Sequence, residues 1–387
     1  MTQTEAQDRA ARWLQAWDGS GIHRTATAGD CRGAAWLAEA AQSLGANVSG
    51  ANVSVEEFTL DRLDPMSAHL EFDDTRIEGV PVFDAPATGT DGITGALGPA
   101  GSAAAIGVAE LSPLAVYSGD YRALRRSAPH AALVIVCQGA QPGVALLNAE
   151  QFREPFGCPA LHVPAEARER VQAAAARGAT GRLVAESKRV TTRAANTVVS
   201  LTGHDRSRRP LVVMTPRSSW WQSTAERGGG LVCWLETLRA LLRAEPASDV
   251  VFTANSGHEL GHLGLDEFVA RRRGWEHENG AIWMHYGANI GAAGGTLSLQ
   301  SADDPLRAAG ADALSGAGVA PVLLAPKTQV PSGETRDIHR ARGRYLTLVG
   351  SNPWFHRPQD RWPHSVDVAA VARIAAGMAA LVARLTR

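Results

Sequence analysis

No stretch of the chain approaches the roughly 20 uninterrupted apolar residues that a membrane-crossing helix needs, so no membrane span is expected. Cysteine is scarce: Cys31, Cys137, Cys158 and Cys233 lie far apart in 387 residues, with no C-x-x-C pair. That spacing excludes a zinc ribbon or a redox motif, and a disulfide framework is not expected in a chain this long. An excess of one charge sign is also missing. With 38 basic and 39 acidic residues the formal net charge is -1, which points away from nucleic acid or an anionic membrane as a partner. No G-x-S-x-G nucleophile elbow is present, and no G-x-G-x-x-G follows a strand, which weakens serine-hydrolase and dinucleotide readings. The opening MTQTEAQDRAARWLQAW lacks a basic segment followed by an apolar run, so a cytoplasmic enzyme without a signal peptide is expected.

What is present is ordinary globular material, 45% hydrophobic and 20% charged, in a length that suits two domains. Helices are expected over 10–17 and from about Asp30 to Leu44. A short tandem duplication, GANVS at 45–49 and again at 50–54, reads as a loop before a strand over 53–60. From about Leu70 to Lys188 short apolar runs (131–139, 159–164, 181–186) alternate with Gly- and Pro-rich turns around one helix at 165–176, which predicts a small β-rich insert. After Asn196 strands alternate with helices. Strands are predicted at 209–215, 248–255, 281–286, 321–324 and 345–349, and helices at 230–244, 264–273 and 366–385. That order argues an α/β domain with a largely parallel sheet, whose active site would lie beyond the carboxyl ends of its strands.

The loops at those ends hold histidines beside carboxylates. Gly257-His258-Glu259-Leu260-Gly261-His262 is a literal H-E-x-x-H, a zinc motif when it lies on a continuous helix, but two glycines interrupt it here. His285 ends a strand, and His356 lies in a late loop with Arg357 and Asp360.

In order and spacing, these segments resemble the co-catalytic zinc exopeptidases of the aminopeptidase Y and glutamate carboxypeptidase group. HRTATAGD (23–30) stands for an Arg-x-x-Gly-Ser-type loop. LLNAEQFREPFGCPALHVP (146–164) resembles part of a protease-associated insert, and AANTVVSLTG (194–203) the return from it. STAERGGGLVCWLE (223–236), SGHELGHLGLDEFV (256–269) and FHRPQDRWPHSVD (355–367) match three site segments. The resemblance implies a three-layer α/β/α domain with a mixed, largely parallel sheet. Residues 1–69 would form its first part, 70–190 the protease-associated-like insert and 191–387 its main part.

Family members hold two zinc ions, and the resemblance implies an altered set here. Pro216 falls near the first histidine ligand. Glu226 replaces the bridging Asp, His258 the general base and His285 a further Asp, while Glu259 and His356 are kept. The implied cofactor is one zinc or other divalent transition ion held by Glu226, Glu259, His285 and His356, with His258 as base or ligand. The set Glu226, Glu259 and His356 is similar to the single-metal site of glutaminyl cyclases of this fold. Arg217, Trp221, Arg227, Arg336 and His339 are the candidates for binding a carboxylated small molecule or short peptide. Gly228–Gly230 at a helix entry invites close backbone approach, and an anion would be favoured there. Hydrolysis of an amide or related C–N bond is expected, with acyl transfer and a catalytically silent binding protein as alternatives. A homo-oligomer is compatible with the composition.

Overall fold

The computed structural model describes residues 2–387 except 47–49, 128 and 140, so part of the first GANVS copy lies outside the described residues. Four strands with fully or largely buried sequences set the frame: Leu211–Pro216, Val250–Asn255, Ile282–Tyr286 and Arg344–Gly350. They run parallel in the order 344–350, 282–286, 211–216, 250–255. Asn255 is level with Pro216, and His285 with Met214 and Thr347, so four carboxyl ends share one rim.

Period-two alternation decides which way each strand residue faces. Leu211, Val213, Phe252, Met284 and Leu346 enter one core with the helices Gln3–Gly19, Ala28–Ser43, Gly229–Leu241, Asp304–Gly316 and Val368–Leu385. Val212, Met214, Val251, Trp283 and Tyr345 face Leu265, Phe268 and Ile338 on the other side, from the helices Leu263–Arg271 and Thr335–Arg340. The result is the expected α/β architecture with a mixed, largely parallel sheet. The helix Val368–Leu385 is long and apolar enough to cross a membrane by length and composition. Here Val371, Ile374, Met378 and Leu381 of that helix lie in the core.

A two-stranded ribbon, Asn52–Phe72 against Thr180–Leu201, extends from this sheet in nearly continuous antiparallel register. The boundaries expected at 69/70 and 190/191 therefore fall inside unbroken strands. Between the ribbon strands, residues 73–179 form a β-rich lobe with parallel strands Ile93–Pro99, Ile106–Leu111, Ala132–Cys137 and Ala160–Val163. Its own apolar clusters, around Val134 and Leu161 and around Leu133 and Tyr121, hold it together. A strand at Leu297–Gln300 and the helix Asp304–Gly316 were not expected from the sequence.

Candidate active site

The loop after Leu211–Pro216 leads into a wide helical turn, Thr224–Gly228, that carries Glu226 and Arg227. Asp360 fixes this turn. Its carboxylate accepts from the backbone amides of Ala225 (2.8 Å) and Glu226 (2.9 Å) and from Asn352 Nδ2 (3.0 Å). Burial raises the Asp360 carboxyl to about 6 in spite of those donors. The three glycines that follow make room for the chain itself rather than for an anion. A side chain at Gly229 would meet the Ile290 carbonyl oxygen at 1.8 Å, and one at Gly230 would meet Thr215 Oγ1 at 2.7 Å.

Glu226 is fully buried, with Arg227 Nη2 2.7 Å from its Oε1 and His356 Nε2 3.3 Å from the same atom. Burial alone would raise this carboxyl, but Arg227 and His356 outweigh it and hold it down at about 2. His356 is oriented from its far side, where Nδ1 donates to the Leu146 carbonyl at 2.6 Å. Arg227 in turn donates from Nε to the Ser218 carbonyl at 2.6 Å.

Glu259 points the other way. Its Oε1 accepts from the Thr25 amide (3.0 Å) and Thr25 Oγ1 (2.6 Å), and its Oε2 accepts from Ser218 Oγ (2.5 Å). Both oxygens are thus engaged by the protein. The expected ligand trio Glu226, Glu259 and His356 therefore does not fit a metal as a set. One carboxylate is saturated, and a guanidinium already neutralises the other.

The H-E-x-x-H segment is not a zincin helix. His258–Leu260 is a single 3-10 turn, and Gly257, Gly261 and His262 all have left-handed backbones (φ 78, 80 and 66°), so the helix starts only at Leu263. This folding still brings the His258 and His262 rings to 5.0 Å between centroids. His262 Nδ1 meets Asp337 Oδ2 at 2.5 Å, and His285 Nδ1 meets Thr347 Oγ1 at 2.7 Å. His258 Nδ1 faces Glu334 Oε1 at 3.6 Å, while Asn255 Nδ2 donates to Glu334 Oε2 at 3.1 Å. Burial, then Arg227, His262 and His285, keep His258 well below its ordinary value. Burial and His262 push His285 down to about 3. Burial raises Glu334 to about 7.

A cavity of about 1110 Å³ opens between the rim and the lobe. Of the expected site residues, His258, His285 and Arg336 line it. Glu226, Glu259, His356, Trp221, Arg227, His339 and Arg217 are not among its lining residues. Arg217 is fully buried, pairing with Asp30 Oδ1 at 2.8 Å and donating to the carbonyls of Asp30 and Ala195. Trp221 Nε1 donates to the His356 carbonyl at 2.9 Å. His339 pairs with Tyr345 Oη at 3.1 Å. Arg336 bridges the two parts of the molecule through Glu150 Oε2 at 2.7 Å. The lobe meets the site where Ala149 N donates to the Glu259 carbonyl and Arg357 donates to the carbonyls of Gln138, Gln141, Pro142 and Gly143.

Sequence reasoning did not single out Thr25, Ser218, Glu334, Asp337 or Thr347. Glu334 ends the stretch Pro331-Ser332-Gly333-Glu334 and Asp337 follows in the short helix Thr335–Arg340, neither within a periodic pattern or a motif. Only the strand order could have pointed to them, since residues 331–343 lead into the strand Arg344–Gly350 beside His285.

The fold is that of the zinc aminopeptidases. The zinc aminopeptidase of Bacillus subtilis superposes with a TM-score of 0.77 at 16% identity, covering 100% of this chain and 95% of that one. The aminopeptidase of Aneurinibacillus sp. strain AM-1 gives 0.73 at 14% identity over 98% and 94% of the two chains. A peptidase M28 precursor from Shewanella amazonensis SB2B gives 0.68 at 13% identity over 100% and 97%. No family model matches the chain, and no curated protein matches it.

Proposed function

We propose that this chain is a hydrolase that cleaves an amide or peptide bond of a small or short-peptide substrate in the cleft between the parallel-strand rim and the 73–179 lobe. One observation carries the reading. His258, in the place where the resemblance puts a general base, lines the cavity beside a buried carboxyl, with its Nδ1 3.6 Å from Glu334 Oε1. Burial lowers its proton affinity, so the ring rests neutral near pH 7, the form a general base needs, and taking a proton there depends on support from a neighbouring acid group. The imidazolium so formed would face Glu334, whose carboxyl, raised to about 7 by burial, supports the charged ring in its ionised form. Arg227 is spent on Glu226, whereas Arg336, held by Glu150, lies in the cavity wall where a substrate carboxylate would enter. The 73–179 lobe is the protease-associated-like part in this reading. It shields the site from water on the side opposite the sheet.

The saturated Glu259 and the Arg227–Glu226 pair favour a second reading, a binding protein for the same ligands without turnover. Release of free amine from amino-acid amides and di- and tripeptides, with divalent metal supplied, separates the two. Turnover that falls at least about 100-fold in His258→Gln, with the fold intact, supports the enzyme. Saturable peptide binding with no turnover between pH 6 and pH 8 would leave only the binding protein.

A further inference from the structure

Exposed apolar side chains scattered singly are ordinary on a folded protein, whereas a group of them around one concave surface marks a binding face. Among the described residues eight large hydrophobic side chains are exposed. Three of them, Leu114 (59%), Tyr117 (38%) and Val330 (53%), line the cavity that holds His258. They come from both of its walls. Leu114 and Tyr117 belong to the 3-10 turn Pro113–Tyr117 of the 73–179 lobe, and Val330 to the loop that leads to Glu334 on the sheet side.

Local structure turns all three outward. Side chains three apart eclipse in a 3-10 turn, so Leu114 and Tyr117 stand on one side of it. Val116 faces the other way, into the lobe's core with Tyr121 and Leu133. Ser118 closes the turn, its Oγ donating to the Ala115 carbonyl at 2.9 Å. On the opposite wall, Val330 is fixed between Gln329, whose carbonyl accepts from Gln300 Nε2, and the buried Pro331. Three residues further on, a Cβ at Gly333 would stand 3.5 Å from His258 Cε1. The apolar mouth is thus continuous with the floor where His258 lies.

We infer that Leu114, Tyr117 and Val330 form a subsite for a bulky apolar side chain of a short peptide, so that the lobe reads the ligand as well as covering it. The shape of the surface decides the occupant. At about 1110 Å³, with apolar residues on both walls, the cavity suits a small ligand held between them rather than a membrane or a broad partner surface. A cationic side chain would meet Arg122, which lines the same cavity and pairs with no acid group among the described residues. A leucine or phenylalanine side chain gains most from leaving water here, and an alanine gains little. This subsite rests on the proposed reading of the cleft as the ligand site but not on turnover, so either can fail alone.

The test is isothermal titration calorimetry of the full chain with uncleavable ketomethylene isosteres of Leu-Leu and Asn-Asn, which match in size and differ in polarity. The leucine ligand is expected to bind at least about tenfold more tightly, with a negative heat-capacity change. Leu114→Ser and Val330→Ser, both at exposed positions, should each weaken it at least about threefold and leave the asparagine ligand unchanged. Leu323→Ser, exposed but outside the cavity, should change neither. Equal affinities for the two ligands, no saturable binding of the leucine ligand, or equal weakening by Leu323→Ser would overturn the assignment. So would a wild-type dimer that dissociates in Leu114→Ser, because these residues would then belong to an interface between copies. Selective binding of the leucine ligand by a chain that releases no amine from any peptide would support the subsite and end the hydrolase reading.

Discussion

Two sides of one rim use the same residue types and close them differently. On the Glu226 side, charge meets charge. Arg227 lies against Glu226, three donors hold Glu259, and His356 is pinned to the lobe through the Leu146 carbonyl. On the Glu334 side, each donor is held from behind and left bare in front. The difference teaches that positions equivalent to ligands need not remain ligands. The guanidinium of Arg227 supplies the charge opposite the buried Glu226 carboxylate, whereas the Glu334 side keeps its bare atoms without such a partner.

The contrast can be broken most severely at the Arg227–Glu226 pair. Arg227→Met leaves a carboxylate in the core without its cation and is expected to cost about 3–5 kcal/mol in denaturant unfolding. Replacing both partners with apolar residues of similar volume should recover most of that loss. Next in size is Glu259→Gln, which removes the charge and, with Oε1 kept toward Thr25, turns an N–H toward Ser218 Oγ, so that this hydroxyl must accept where it now donates. A loss of about 1.5–3 kcal/mol in denaturant unfolding is expected. Gly333→Ala sharpens the contrast from the other side. Gly333 has φ 66°, so Gly333→Ala should cost about 1–2 kcal/mol in denaturant unfolding, from the backbone conformation rather than from crowding, since its β-carbon would stand in ordinary contact with His258 and His285.

The smallest effect is on pH dependence. Asp360 is raised in the folded state to about 6, so the unfolded chain gives up this proton first as pH rises. Its contribution is therefore present below its unfolded value near 4 and is lost as pH rises through about 6. Wild-type stability relative to Asp360→Asn should fall across that window. Glu226 is lowered to about 2 and behaves in the opposite sense, with stability present above its unfolded value and lost as pH falls toward 2.

Much of the frame could be read in the chain, because buried parallel strands are apolar runs that announce themselves. RPLVVMT and SDVVFTAN contain two of the four central strands, and the order of strands and helices gave the class of sheet. The long ribbon was only half legible. Its outer stretch is polar and alternates too weakly to distinguish from loop, so the expected boundaries cut through it. At the site, the histidines were visible because they follow strands, but the direction of each side chain was not. Arg217 was read as a ligand-facing residue, yet it turns inward because Asp30, far off in sequence, meets it there. Glu259 turns to Thr25 for the same kind of reason. Long-range pairing of buried polar groups leaves no local trace in a sequence, and it decides which residues remain available for chemistry.

The most direct measurement is amine release from amino-acid amides and short peptides by the wild-type chain and by His258→Gln, with divalent metal supplied. Turnover by the wild-type chain that falls at least about 100-fold in His258→Gln, with the fold intact, is the expected result. No turnover by the wild-type chain, or turnover undiminished in His258→Gln, would contradict the account.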